Sequence, residues 1–185
     1  MMIAVPFFSK RVSFVERLII VHMPRRETIV ATVVLIILGT GMHFVHHASF
    51  FNHFLGYIFP VIESVMAHMK MVFYPMLLLS IYLCVTRRSI QEFGAPLLGG
   101  LAVMPLIVAV FFSYWYFVRH ELMFLDMIIY MASMAGAVLL ARKWRKGSFV
   151  RRWWPLWIIV EVLGAVLIGY LTYHSPDWIV FANLG

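Results

Sequence analysis

Residues 95–118, APLLGGLAVMPLIVAVFFSYWYFV, run for 24 positions without one charged side chain. As an α-helix this stretch is about 36 Å long at 1.5 Å per residue, enough to cross a hydrocarbon layer about 30 Å thick. Tracts of similar character recur on either side of it. TIVATVVLIILGTGMHFVHH occupies about Thr28 to His47, a second runs from about Pro60 to Val85, and LMFLDMIIYMASMAGAVLLA covers Leu122 to Ala141. WWPLWIIVEVLGAVLIGYLTY, Trp153 to Tyr173, completes the set. The expectation is an all-α integral membrane protein, a five-span transmembrane helix bundle.

Composition agrees, since 63% hydrophobic and 12% charged residues lie far from the balance of a water-soluble domain. The net charge of +7 does not indicate nucleic acid, because the basic residues are scattered between apolar tracts and form no stripe. The single Cys84 has no intramolecular disulfide partner and sits within an apolar tract, where an inert thiol is expected.

Basic residues instead report topology. Lys10, Arg11, Arg17, Arg25 and Arg26 precede the first span, Arg87 and Arg88 follow the second, and Arg142, Lys143, Arg145, Lys146, Arg151 and Arg152 separate the fourth from the fifth. The positive-inside rule assigns all three groups to the cytoplasm, with the N-terminus cytoplasmic and the C-terminus outside. Residues 1–27 show no signal-peptide pattern. Val12, Val15, Leu18 and Ile19 recur at helical spacing beside Lys10, Arg11 and Arg17, as in an interfacial amphipathic helix. Residues 28–185 form a single transmembrane domain on this reading. Pro60, Pro96 and Pro155 fall near helix starts, whereas Pro75 and Pro105 are interior and predict kinks. Ala132 with Gly136, and Ala165 with Gly169, offer small-residue spacing for close packing.

The ionisable residues inside or beside the spans gather on the opposite side from the basic loops. Counting along each span from Arg88, Arg26 and Arg142 places Glu63, His68, Lys70, His43 and Asp126 at similar depth near the outer surface. A carboxylate within a span is costly, so Asp126 calls for a partner, with Lys70, Arg119 and His68 as candidates. Interfacial His, Lys and Glu are also ordinary helix-end residues, so the cluster has a purely structural alternative. Glu161 falls in the inner half of the fifth span and receives no role.

Imidazole and carboxylate together suit zinc or a related divalent metal. His43, His68 and Asp126 would hold the ion, Glu63 would activate water as a base, and Lys70 would steady an anionic group. There is no H-E-x-x-H motif, and no second internal histidine pair that would favour haem. A lipid headgroup, bound through Lys70, Arg119 and the imidazoles, needs no metal.

GMHFVHH followed by PVIESVMAHMKMVFYPML resembles the paired motifs of a family of small uncharacterised bacterial multi-pass membrane proteins, a domain of unknown function. Its members carry G-x-x-x-H-F and P-V-N-E-S-V-x-E-H-x-K. The matching residues here are His43, Phe44, Pro60, Val61, Glu63, Ser64, Val65, His68, Lys70 and Pro75. The resemblance implies the fold and a bacterial cytoplasmic membrane, and assigns no activity. Ile62 and Ala67 stand where the family has Asn and a second Glu, so a chemistry requiring that second carboxylate would be lost here. Ser64 and His68 also reproduce the Ser-x-x-x-His spacing of the alkaline ceramidase and adipoQ-receptor zinc hydrolases, but five spans and the lone His174 leave this as an analogy of chemistry.

The expectation is therefore an outward-facing polar pocket for a metal ion or lipid headgroup, with a metal-dependent membrane hydrolase as its catalytic form. The alternative is a non-enzymatic accessory subunit held to other membrane-protein subunits. The sequence does not decide whether the chain is an enzyme. A transporter ranks third, for want of an inverted repeat.

Overall fold

The computed structural model describes residues 23–48, 53–60, 64–120, 122–174 and 176. All regular structure among them is helical: α1 (Arg25–Ala48), α2 (His53–Gly56), α3 (Val65–Thr86), a 3-10 turn (Ile90–Glu92), α4 (Gly94–Val118), α5 (Met123–Trp144), α6 (Ser148–Arg152) and α7 (Trp154–Tyr173). Five of these segments are long and apolar enough to cross a membrane: Arg25–Val45, His68–Thr86, Ile90–Val118, Phe124–Trp144 and Trp154–Tyr173. The surface helix expected in residues 1–27 lies almost wholly outside the described residues, as does Glu63.

Helices α3, α4 and α5 form the centre. Helix α1 packs on α3 and α5, and α7 packs on α4 and α3. The core draws Val72, Met76, Leu79 and Leu83 from α3, Leu97, Val103 and Ile107 from α4, and Met134, Ala137, Val138 and Ala141 from α5. The outward faces are equally apolar, with Ile37 on α1, Phe117 on α4 and Val166 on α7 more than 60% exposed. Apolar side chains inside and out are what a lipid solvent requires, since no polar face is needed against hydrocarbon.

Without a hydrophobic difference between core and lipid, close contact must come from small residues. The tightest seam is α4 against α5. A Cβ at Gly99 would collide with the carbonyl of Ala137, so the glycine lets the two backbones touch. The expected pairs do less here: Gly136 meets only Val103 Cγ1, at 3.8 Å, and Gly169 meets Tyr57. Pro75 and Pro105 lie inside α3 and α4, and Pro155 opens α7 where a missing N–H costs little. Helix α3 starts at Val65, five positions after Pro60, which stays in the connection.

One end of the bundle carries the basic connections. Arg87 Nη2 donates to Glu27 Oε2 at 2.5 Å and ties the end of α3 to the start of α1. Arg145 Nε donates to Glu92 Oε2 at 2.6 Å with both side chains essentially sealed from solvent. Arg151 Nη2 adds a bond to Gln91 Oε1 at 3.2 Å. At the opposite end, α4 stops at Arg119, whose left-handed backbone (φ 63°) closes on Trp115 O and turns the chain into α5. The Arg119 guanidinium lies 5.7 Å from the Trp115 ring centroid and 5.2 Å from that of Tyr116.

Candidate functional site

The histidine end is built from a shared register. Tyr130 on α5 donates to the carbonyls of Leu35 and Ile36 on α1, at 3.2 and 3.4 Å. Gly39 leaves the room for it: a Cβ there would strike the Tyr130 hydroxyl and lie 2.7 Å from Met71 O of α3. Gly39, Tyr130 and Met71 therefore mark one level at which three helices meet. One turn farther toward that end, about 5 Å along each axis, come His43, Asp126 and His68. The register therefore brings these three residues to one level of the bundle.

Within that layer, the His43 and His68 rings are stacked, with centroids 5.4 Å apart and planes 29° apart. His68 Nδ1 lies 2.8 Å from Ser64 O. A carbonyl only accepts, so Nδ1 carries the proton and the neutral ring has its lone pair on Nε2. Ser64 is itself buried and sits just before the first turn of α3, so the bond orients His68 from its own helix. Phe44 meets the edge of His43 at 5.2 Å.

Lys70 points elsewhere. Its side chain is 2% exposed, and Nζ donates to Gly56 O at 2.6 Å and Phe59 O at 3.2 Å. Gly56 ends α2, so the ammonium satisfies carbonyls left open by that short helix and the following turn. One turn on, Tyr74 Oη donates to Tyr57 O at 3.0 Å. Two side chains of α3 thus clamp the connection between α1 and α3 down onto the bundle, where Tyr57 also packs edge-on against Tyr173 at 5.0 Å.

Asp126 accepts a short hydrogen bond from the Tyr114 hydroxyl of α4. Tyr114 was not among the partners expected for it, which were Lys70, Arg119 and His68; of these, Lys70 donates to carbonyls and Arg119 lies over aromatic rings. Among the described residues, no three of His, Cys, Asp and Glu converge as a metal would require. The His43–His68 pair offers two nitrogens, whereas zinc takes three or four protein ligands.

Tyr114 and Tyr130 were missed as contributors to this layer, as was the Glu92–Arg145 pair at the other end. A tyrosine inside an apolar span reads as one more hydrophobe. Only the buried need of its hydroxyl for an acceptor hints at more.

Neither a curated protein nor a solved structure matches the chain. A sequence profile does, over residues 17–184, that of the "Family of unknown function (DUF6512)". The chain belongs to that family of unknown function.

Proposed function

We propose that this is a five-span protein of a bacterial cytoplasmic membrane whose N-terminus is cytoplasmic and whose histidine end faces outward, where it binds the phosphate of an anionic lipid headgroup. The stacked His43–His68 pair carries this reading. Two imidazoles held side by side at the end of the spans, one of them oriented through Ser64 O, can take up a proton and present N–H donors to an anion. A headgroup demands no third protein ligand, which favours it over a metal. It also leaves Lys70 free to do what its two carbonyl bonds indicate, holding the connection that borders the site.

The test is native mass spectrometry of the purified protein released from phosphatidylglycerol and from phosphatidylcholine nanodiscs. Retained phosphatidylglycerol should exceed phosphatidylcholine, increase on acidification and fall in His43→Ala and His68→Ala with the helical spectrum unchanged. Equal retention of both lipids, or no change in either variant, would end the proposal. Stoichiometric zinc in the same preparation would instead restore the metal reading with Glu63 as a further ligand, and copurifying proteins in fixed ratio would favour the accessory-subunit reading.

A further inference from the structure

Helix α7 presents a stripe at three- and four-residue spacing to the rest of the bundle. Trp157 lies beside Gly94, Gly164 faces Phe73 with 3.0 Å between its Cβ position and the Phe73 ring, and Ile168 joins the core. Glu161 sits in the middle of that stripe. Leu156, Ile159, Val162, Leu163, Val166 and Leu167, on the other faces, are exposed to what would be lipid. Glu161 is 3% exposed, and among the described residues neither carboxyl oxygen has a hydrogen-bond partner. It lies seven positions beyond Trp154, about 10 Å from the basic end of α7 along the axis.

Among the described residues, the elements packed on α7 give it no salt-bridge partner, since Lys70 of α3 is held by the carbonyls of Gly56 and Phe59. Tyr74 of α3 is within electrostatic reach, and its hydroxyl already donates to Tyr57 O. Helix α4 has no titratable side chain between Gly94 and Ser113. The 3-10 turn contributes Glu92, already held by Arg145 and of the same sign. An ionised carboxylate enclosed by apolar side chains, without a donor or a cation, is the costliest state such a group can occupy, and taking a proton relieves it.

We propose that Glu161 is an intramembrane proton-binding site on the α3–α4–α7 seam, carried as the neutral acid and exchanging its proton with water at the basic end of the bundle. The reaction is carboxylate plus proton giving carboxylic acid, with no other participant. Trp157, one turn closer to the basic end, stands between Glu161 and that water. Its indole Nε1 donates to Val150 O at 2.9 Å, which fixes the ring across the seam and makes it the step that limits exchange.

The experiment treats full-length protein in nanodiscs with the lipid-soluble reagent dicyclohexylcarbodiimide, over a range of pH, and maps the adduct by peptide mass spectrometry. The acid O–H adds across one C=N bond of the reagent, so only the protonated carboxyl reacts. Labelling at Glu161 near neutral pH should decline as the pH is raised, disappear in Glu161→Gln, and proceed faster in Trp157→Ala. Infrared difference spectra should show a protonated-carboxyl C=O band, absent from Glu161→Gln, even where the reagent cannot enter the seam. Glu161→Gln keeps the side-chain volume and should remain folded with an undiminished melting temperature. Absence of both the adduct and the infrared band at every pH, or a large loss of stability in Glu161→Gln, would overturn the proposal by showing an ionised group with a cationic partner.

Discussion

Arg145 and Glu92, 53 positions apart in the chain, meet at 2.6 Å with 0% and 1% of their side chains exposed. Arg145 follows α5 and Glu92 precedes α4, so this contact locks together the basic-end termini of the two most closely packed helices. A buried pair of this kind roughly balances desolvation against attraction while intact, but losing one partner strands the other charge. Glu92→Ala or Arg145→Ala should each destabilise the protein by about 3–5 kcal/mol. The double change to Leu at Glu92 and Met at Arg145 should recover most of that loss. Thermal unfolding in one detergent, read as a double-mutant cycle, measures it.

Gly99 should not tolerate a methyl group. Its Cβ would press on the backbone carbonyl of Ala137, which cannot swing aside as a side chain would. Gly99→Ala should cost about 1–3 kcal/mol by forcing α4 from α5. Gly136→Ala, with Val103 Cγ1 at 3.8 Å, should be close to neutral. Paired melting curves of the two variants decide the point.

Tyr130→Phe removes the donor to Leu35 O and Ile36 O and leaves the ring in place. Interhelical hydrogen bonds in membranes average about 0.6 kcal/mol, so the loss should be of that order. Gly39→Ala should be worse, because it displaces the same hydroxyl and also crowds Met71 O. If the two rank the other way by melting temperature, the three-helix level described here is not what sets the register.

Lys70→Met keeps an apolar stem of similar length but abandons the Gly56 and Phe59 carbonyls. The connection at residues 53–60 should then show faster amide exchange and faster proteolysis, with the spans unaffected. Tyr74→Phe, which releases only Tyr57 O, should have a smaller effect in the same direction. Uniform exchange rates between parent and Lys70→Met would dissociate the clamp from the order of that segment.

The spans were legible because lipid imposes one rule on every residue that meets it, and a run such as Ala95–Val118 satisfies it unaided. That His43, His68 and Asp126 share one level along the bundle was also legible, since helical rise converts residue counts to distance. Partners were not. Six basic residues between the fourth and fifth spans look alike as a topology signal, and nothing local marks Arg145 as the one that turns inward to Glu92. The bonds of Lys70 to the connection were not legible, because the second span was started at Pro60. The actual start at Val65 leaves a folded connection whose carbonyls need a donor. Tyr114 as a donor to Asp126 was not legible either, because charge matching does not find a neutral hydroxyl.

Helix α7 rests on α3, α4 and the 3-10 turn, whereas α1, α3, α4 and α5 hold one another without it. During synthesis the first four spans can therefore close around their core before the last one leaves the ribosome, and the final helix docks into a groove already finished. Its acidic residue would enter that groove sideways from the bilayer, a passage an uncharged side chain makes far more readily than a charged one.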